Sequence, residues 1–197
     1  MKSCIVAITG ASGSIYGIRL IEELLKSIDT VHLCISAQAF DNIKIETGIA
    51  WSAETASAIE KKIRHHFSAD TISFHSDTNL AAPLSSGSYC NEGMFVVPCS
   101  MKTLSGIANG YASNLIERSA DVTLKEGRPL ILAPREMPLN AIHLENMLKL
   151  ARLGVKIAPP IPAFYQKPQS VEDLIDFVIG KILDSAGIAH TLFQRWH

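Results

Sequence analysis

PLILAPREMPLNAIHLENMLKL, residues 129–150, is the stretch on which the reading of this chain turns. The apolar run Leu130–Ala133 stops at Arg135 and Glu136, which Pro134 and Pro138 fence, and an amphipathic helix pattern follows at once. A run this short and apolar suits a strand buried on both faces of a parallel sheet. The two charges then sit where the strand leaves the sheet, beside the crevice in which open α/β sheets bind ligands. Two readings of the pair stand open at this point. It is either an acid and a base held as site residues by proline brackets, or an exposed turn whose charges pair with each other or with water.

Outward from this stretch the same alternation recurs. Cys4–Thr9 reads as a strand and Ser14–Lys26 as a helix. Val31–Ile35 is the next strand, followed by helices over 37–46 and 53–67 and a short strand over 71–74. A compact strand at 94–97 precedes helices near 103–109 and 114–126. After the strand at 130–133 come a helix over 139–152, a strand over 155–158 and a final helix over 171–185. Strands alternating with helices predict an α/β fold, a doubly wound parallel sheet with helices on both faces, in one domain over 1–197.

A chain of 197 residues can bury a proper core without staples. At 47% apolar and 19% charged it is greasy for a monomer, so subunit contacts are expected, with the tail from about 186 at an interface. A net charge of −1 gives no general attraction to nucleic acid or anionic membrane. No apolar stretch reaches the length of a spanning helix, and the start enters a strand directly without a signal-peptide cleavage site. Cys4, Cys34, Cys90 and Cys99 show no CxxC spacing, which favours free thiols in a reducing cytoplasm. The histidines, the His65–His66 pair included, form no metal-ligand array.

Gly10-Ala11-Ser12-Gly13 follows the first strand and opens the first helix. Small residues there let backbone N–H groups approach a phosphate at the positive end of the helix dipole, though an ordinary tight turn looks the same. The glycines at 10, 13 and 17 miss the dinucleotide fingerprint. Ser36 ends the second strand where a nicotinamide cofactor would want an acid, which argues against a dehydrogenase. Ser100-Met101-Lys102-Thr103 repeats the hydroxyl-and-amide pattern, and the adjacent Cys99 reads as a buried thiol. Arg118 and Lys125 fall seven apart on one helical face, with Asp121 between them, so a phosphate site and a self-neutralising ladder both fit. The loop Pro159–Pro168 fits a lid or a subunit contact. No acid cluster of the kind that clamps a magnesium-bound diphosphate is present in the sequence.

These segments occur in an order that is itself informative: 9–13, 85–88, 98–104, 120–126, 134–139, 143–147 and 162–165. Together they closely resemble the flavin prenyltransferase (UbiX) family. The resemblance implies a three-layer, flavodoxin-like Rossmann fold and metal-independent transfer of the dimethylallyl group from dimethylallyl monophosphate to N5 and C6 of reduced FMN. The prenylated FMN would serve a UbiD-type decarboxylase, and the enzyme would be a homododecamer with sites where subunits meet. By position it implies FMN binding by Gly10, Ala11, Ser12, Ser36, Ser100, Met101, Lys102, Thr103 and Arg135. It implies substrate binding by Arg118, Lys125, Tyr165 and Lys181, and chemistry by Glu136, Glu46, Lys125 and Ser12. Family members often carry Arg where Lys181 stands, and some carry Trp where Leu80 stands. Lys keeps the charge at 181 and loses the bidentate fork. The rival readings are an FMN carrier without chemistry, which would not need the Arg118/Lys125/Glu136/Tyr165 group, and a flavin-dependent decarboxylase of the same superfamily.

Overall fold

The computed structural model describes residues 2–195. Among these residues the strands are β1 (Ser3–Ile8), β2 (Thr30–Ile35), β3 (Ile72–Ser76), β4 (Met94–Cys99), β5 (Leu130–Pro134) and β6 (Lys156–Ile157). The helices are α1 (Ser14–Leu24), α2 (Ala37–Thr47), α3 (Ala56–Phe67), α4 (Met101–Ala108), α5 (Leu115–Lys125), α6 (Ala141–Arg152) and α7 (Val171–Ser185). All strand pairs are parallel, in the order β3-β2-β1-β4-β5-β6. The order reverses between β1 and β4, which opens the ligand crevice of a doubly wound sheet at their carboxyl ends.

Strand residues alternate between two cores, as a period of two requires. Val6, Ile8, Leu33, Val97 and Ile131 face α1, α2, α3 and α7. Ile5, Ala7, Met94, Val96 and Leu132 face α4, α5 and α6. Both faces are dry, which is why the strands read as continuous apolar runs. On the second face the helices do not extend over β2 and β3. There the segment 77–91 takes their place, and the strands present His32 and His75 to Tyr89 instead of aliphatic side chains.

Several ends differ from the sequence expectation because capping side chains decide them. The helix expected from Ala53 begins at Ala56, where the Thr55 hydroxyl accepts the Ala58 N–H. The helix expected from 139 begins at Ala141, after Asn140 and His143 form a reciprocal capping box. The helix expected near 103 starts two residues earlier, behind the Ser100 cap. The strand expected over 155–158 shrinks to Lys156–Ile157. In α6 only Leu150 is buried, whereas Ile142, Leu144 and Leu148 are exposed. The surplus of apolar residues seen in the composition therefore lies partly on this helix. The tail folds back over α7 as far as residue 195; Trp196 and His197 lie outside the described residues.

Candidate active site

Short bonds tie together the carboxyl ends of β1, β4 and β5. Thr9, the residue after β1, donates from Oγ1 to the Pro98 carbonyl at 2.8 Å and accepts the Ser100 N–H at 2.8 Å. The Arg135 N–H donates to the Cys99 carbonyl at 3.1 Å, and Arg135 Nε donates to the Ser12 carbonyl at 3.3 Å. Ser12, Ser100 and Arg135, distant in sequence, thus converge on one crevice. Thr9 was not among the expected site residues. Its one sequence signal is a hydroxyl ending an apolar strand run.

Three helix starts open near this crevice, and they are not equivalent. At α1 the expected phosphate position is already taken. Gly13, left-handed at φ 100°, and Ser14 donate their N–H groups to the Glu46 carboxylate at 3.0 and 2.8 Å. Partial burial opposes the ionised form of Glu46. The amide of Ser14, the hydroxyl of Ser12 and the amide of Gly13 outweigh it and hold the pKa below the usual glutamate value. The chain's own anion caps this helix, a contact the sequence reading did not include. At α4 the Ser100 hydroxyl accepts the Thr103 N–H at 3.3 Å, leaving the amides of Met101 and Lys102 without intrahelical acceptors. At α2 the Ser36 hydroxyl makes no capping bond and the Ala39 N–H donates to the Ser36 carbonyl at 2.9 Å, so the hydroxyl and the amides of Ala37 and Gln38 are open to an anion. Gly10 lies against Gln38 of that turn, where a Cβ would meet Gln38 at 2.9 Å.

Arg135 and Glu136 do not pair with each other. Glu136 is exposed, and its Oε1 accepts the Met137 N–H at 3.1 Å. Both residues line a mostly apolar chamber of about 480 Å³ with Met101, Met137, Met147 and Pro160. Burial pushes the Cys99 thiol well above its ordinary pKa, so it stays protonated and is no nucleophile.

The cations expected to hold the substrate phosphate lie on two helices. On α5, Arg118 donates to the Ser85 carbonyl at 3.2 Å and pairs with Asp121 at 2.8 Å, while Lys125 pairs with Glu126 at 3.1 Å. The self-neutralising ladder is therefore present. The loop over it is close-fitting: a Cβ on Gly87 would collide with Glu126 and approach Lys125. Arg128 holds the same loop through the carbonyls of Gly87 and Tyr89, each at 2.8 Å. The Tyr89 hydroxyl meets His32 Nε2 at 2.6 Å, and His32 Nδ1 meets His75 Nε2 at 3.1 Å. Burial, then the neighbouring His75, pushes the His32 pKa down to about 4. Lys181 stands on α7, with its Nζ 3.5 Å from Asp184. Exposed Tyr165 sets its ring edge-on to Phe177 of the same helix at 5.6 Å.

Among the described residues, no group of three His, Cys, Asp or Glu side chains could hold a metal ion, and no helix is long and apolar enough to cross a membrane. Residues 1–183 match the family model described as Flavoprotein. A flavin prenyltransferase UbiX of Methanocaldococcus jannaschii is 52% identical over 192 residues, covering 98% of this chain and 97% of its own. The crystal structure of AnUbiX in complex with FMN and dimethylallyl pyrophosphate is similar at a TM-score of 0.88 and 43% identity, covering 100% of this chain and 97% of that one. A dodecameric FMN-dependent UbiX-like decarboxylase from Escherichia coli is similar at a TM-score of 0.87 and 44% identity, covering 99% of each chain. With nearly its whole length matched at such identity, the chain belongs to the flavin prenyltransferase (UbiX) family of flavoproteins.

Proposed function

We propose that this protein transfers the dimethylallyl group of dimethylallyl monophosphate to N5 and C6 of reduced FMN and releases prenylated FMN to a UbiD-type decarboxylase. The observation that carries the reading is the convergence of Ser12, Ser100 and Arg135 on the crevice beside an apolar chamber rimmed by Glu136. The donor set suits a flavin mononucleotide. Of the helix starts, α2 suits the FMN phosphate best: its Ser36 hydroxyl is unengaged beside the amides of Ala37 and Gln38, whereas Glu46 holds α1 and the Ser100 hydroxyl is already used as the cap of α4. Gly10, Ala11, Ser12, Met101, Lys102 and Thr103 would line the ring system's path from there to Arg135.

Reduced FMN supplies the nucleophilic atoms when bound. The chain supplies positioning and charge. As the allylic C–O bond breaks, negative charge builds on the departing phosphate, and Arg118, Lys125 and Lys181 stabilise it more in the transition state than before it. Tyr165 donates to a phosphate oxygen. Glu136 relays the proton released at flavin N5 to the phosphate, then takes the C6 proton as the second bond forms and returns it to the carbon of the allylic double bond that this bond consumes. Glu46, kept ionised by its amide donors, serves as a fixed anion facing the allylic cation beside Ser12. The apolar walls offer that cation no nucleophile and would shield it from water once a neighbouring subunit covers the groove.

Within one subunit Arg118 and Lys125 are engaged with Ser85, Asp121 and Glu126, on a different helix from Lys181. This division supports a site completed where subunits meet, with the exposed apolar side chains of α6 among the contacts, in a dodecamer like that of the Escherichia coli relative. Free, buried Cys4, Cys34 and Cys99 favour a reducing, cytoplasmic setting.

The test is anaerobic incubation with reduced FMN and dimethylallyl monophosphate, followed by the mass of the bound flavin. A gain of one five-carbon unit is expected; unaltered FMN would leave an FMN carrier. Parallel incubation with dimethylallyl pyrophosphate, the compound bound in AnUbiX, tests the choice of monophosphate.

A further inference from the structure

Residues 188–195 do not trail away from α7 but cross back over it. Gly180, in mid-helix, permits the approach: a Cβ there would run into the rings of His190 and Phe193. Phe193 packs against Phe177 at 5.3 Å between centroids with the rings tilted by 41°, and Phe177 receives the Tyr165 ring edge-on at 90°. Beside Tyr165, Gln166 donates from Nε2 to the Gln194 carbonyl at 2.9 Å. The tail therefore grips the 163–168 loop through both rings and backbone.

The other end of the tail is polar and centred on Asp184. The His190 side chain is 1% exposed, and its Nδ1 accepts the Leu192 N–H at 3.2 Å. A neutral imidazole then carries its proton on Nε2, which donates to Asp184 Oδ1 at 3.2 Å. Arg195 donates to the same oxygen at 2.8 Å. Lys181 is left with the opposite oxygen at 3.5 Å. Asp184 is thus engaged mainly by the tail, and the Lys181 ammonium is only loosely neutralised.

We propose that segment 188–195 is a strap that arms the substrate-phosphate site, with Phe193, His190 and Arg195 as positioning residues for Tyr165 and Lys181. Phe193 fixes the Tyr165 ring through Phe177. Arg195 and His190 occupy Asp184, which keeps Lys181 available to the phosphate of the allylic substrate. Without the strap, Asp184 becomes a tight partner of Lys181 and the Tyr165 ring loses its backing. The inference rests on the reading of Tyr165 and Lys181 as substrate-binding residues.

The test uses Phe193→Ala and Arg195→Ala in the full chain, with Phe193→Tyr and Arg195→Lys as conservative partners. The expected result is a rise of about three- to tenfold in KM for dimethylallyl monophosphate for each alanine variant, the size of a lost aromatic or charged contact. Affinity for inorganic phosphate, read by calorimetry on the flavin-free protein, falls with it. Turnover at saturation, FMN affinity and melting temperature stay near parental, and the conservative variants recover most of the loss. Arg195 is largely exposed, so its variant carries the test if Phe193→Ala melts early. Lys181→Ala and Tyr165→Phe run alongside. If these two raise KM and the strap variants do not, the strap is overturned. If none of the four changes KM, the substrate reading of Tyr165 and Lys181 falls as well. Loss of FMN affinity together with early melting in Arg195→Ala overturns the strap by showing a general structural role.

Discussion

At the strand ends, Thr9, Ser100 and Arg135 are fixed by bonds that link the carboxyl ends of different strands, whereas Arg118, Lys125 and Lys181 pair with acids one or three residues away. The first arrangement exists only once the sheet has formed, and it is then rigid. The second is local and solvent-facing, and ion pairs of that kind contribute about 0–1 kcal/mol. A phosphate can redirect such side chains at little cost. On the proposed reading, the crevice is pre-shaped for a flat, defined ligand, while the cations wait in adaptable pairs for a small charged one. A site for two substrates benefits from both.

Glu136, at the rim of the apolar pocket beside Arg135, has the largest expected effect. Glu136→Gln should lower turnover by about 10²–10⁴-fold while FMN affinity holds, as expected for a lost proton relay. Single-turnover mass measurement of the flavin checks this, and parental turnover would remove Glu136 from the chemistry. Thr9→Val comes next and probes the rigid region alone. It leaves the Ser100 N–H without its acceptor, costing about 1–3 kcal/mol in urea unfolding and weakening FMN binding. Lys125→Ala should do the reverse, leaving the unfolding midpoint in place and raising KM. If both variants behaved alike, the contrast between rigid crevice and adaptable cations would fail.

A fourth prediction concerns pH and the loop that holds Arg118. The folded pKa of His32 lies near 4, against 6.5 for the free imidazole, so between these values the unfolded chain binds more protons. The stabilisation is fully present above pH 6.5 and is lost as pH falls towards 4, with a slope of at most about 1.4 kcal/mol per pH unit. His75, Tyr89 and, beyond His75, Glu60 are the ionisable groups that face this pair. His32→Gln should flatten the stability profile over that range; an unchanged slope would assign it elsewhere. The smallest effect is expected from Asp121→Asn. It should move stability by no more than about 0.5 kcal/mol and leave phosphate affinity equal or slightly higher, since the Arg118 pair is exposed. A large loss would show that Asp121 orients Arg118 rather than merely shielding it.

Much of the fold was legible because doubly buried strands write themselves as uninterrupted apolar runs. Leu130–Ala133 and Val31–Ile35 were placed to within a residue on that basis. The start of α3 was not, because the Thr55 hydroxyl decides it and neighbouring positions look equally helical. The crevice was half legible. Ser12, Ser100 and Arg135 follow strand runs and so had to emerge at the sheet's carboxyl edge. The capping of α1 by Glu46 was hidden: its carboxylate reaches Gly13 and Ser14 across more than thirty residues, and no local pattern encodes that distance. His32 and Tyr89 were hidden for a related reason, since their bond depends on a face of β2 that no helix covers.

The sequence by itself determined the alternation of elements, the two-sided core and, through its ordered motifs, the family. These depend on periodicity and residue type, which are local. The tertiary structure decided which helix start is open to a phosphate, which acid each cation answers to, and where the tail goes. Those outcomes turn on contacts between residues far apart in the chain, and only the packed fold brings such atoms within hydrogen-bonding range. The Arg135–Glu136 pair shows both halves: its place at a strand end was written in the sequence, but only the fold directs Arg135 to Ser12 and sets Glu136 beside the apolar chamber.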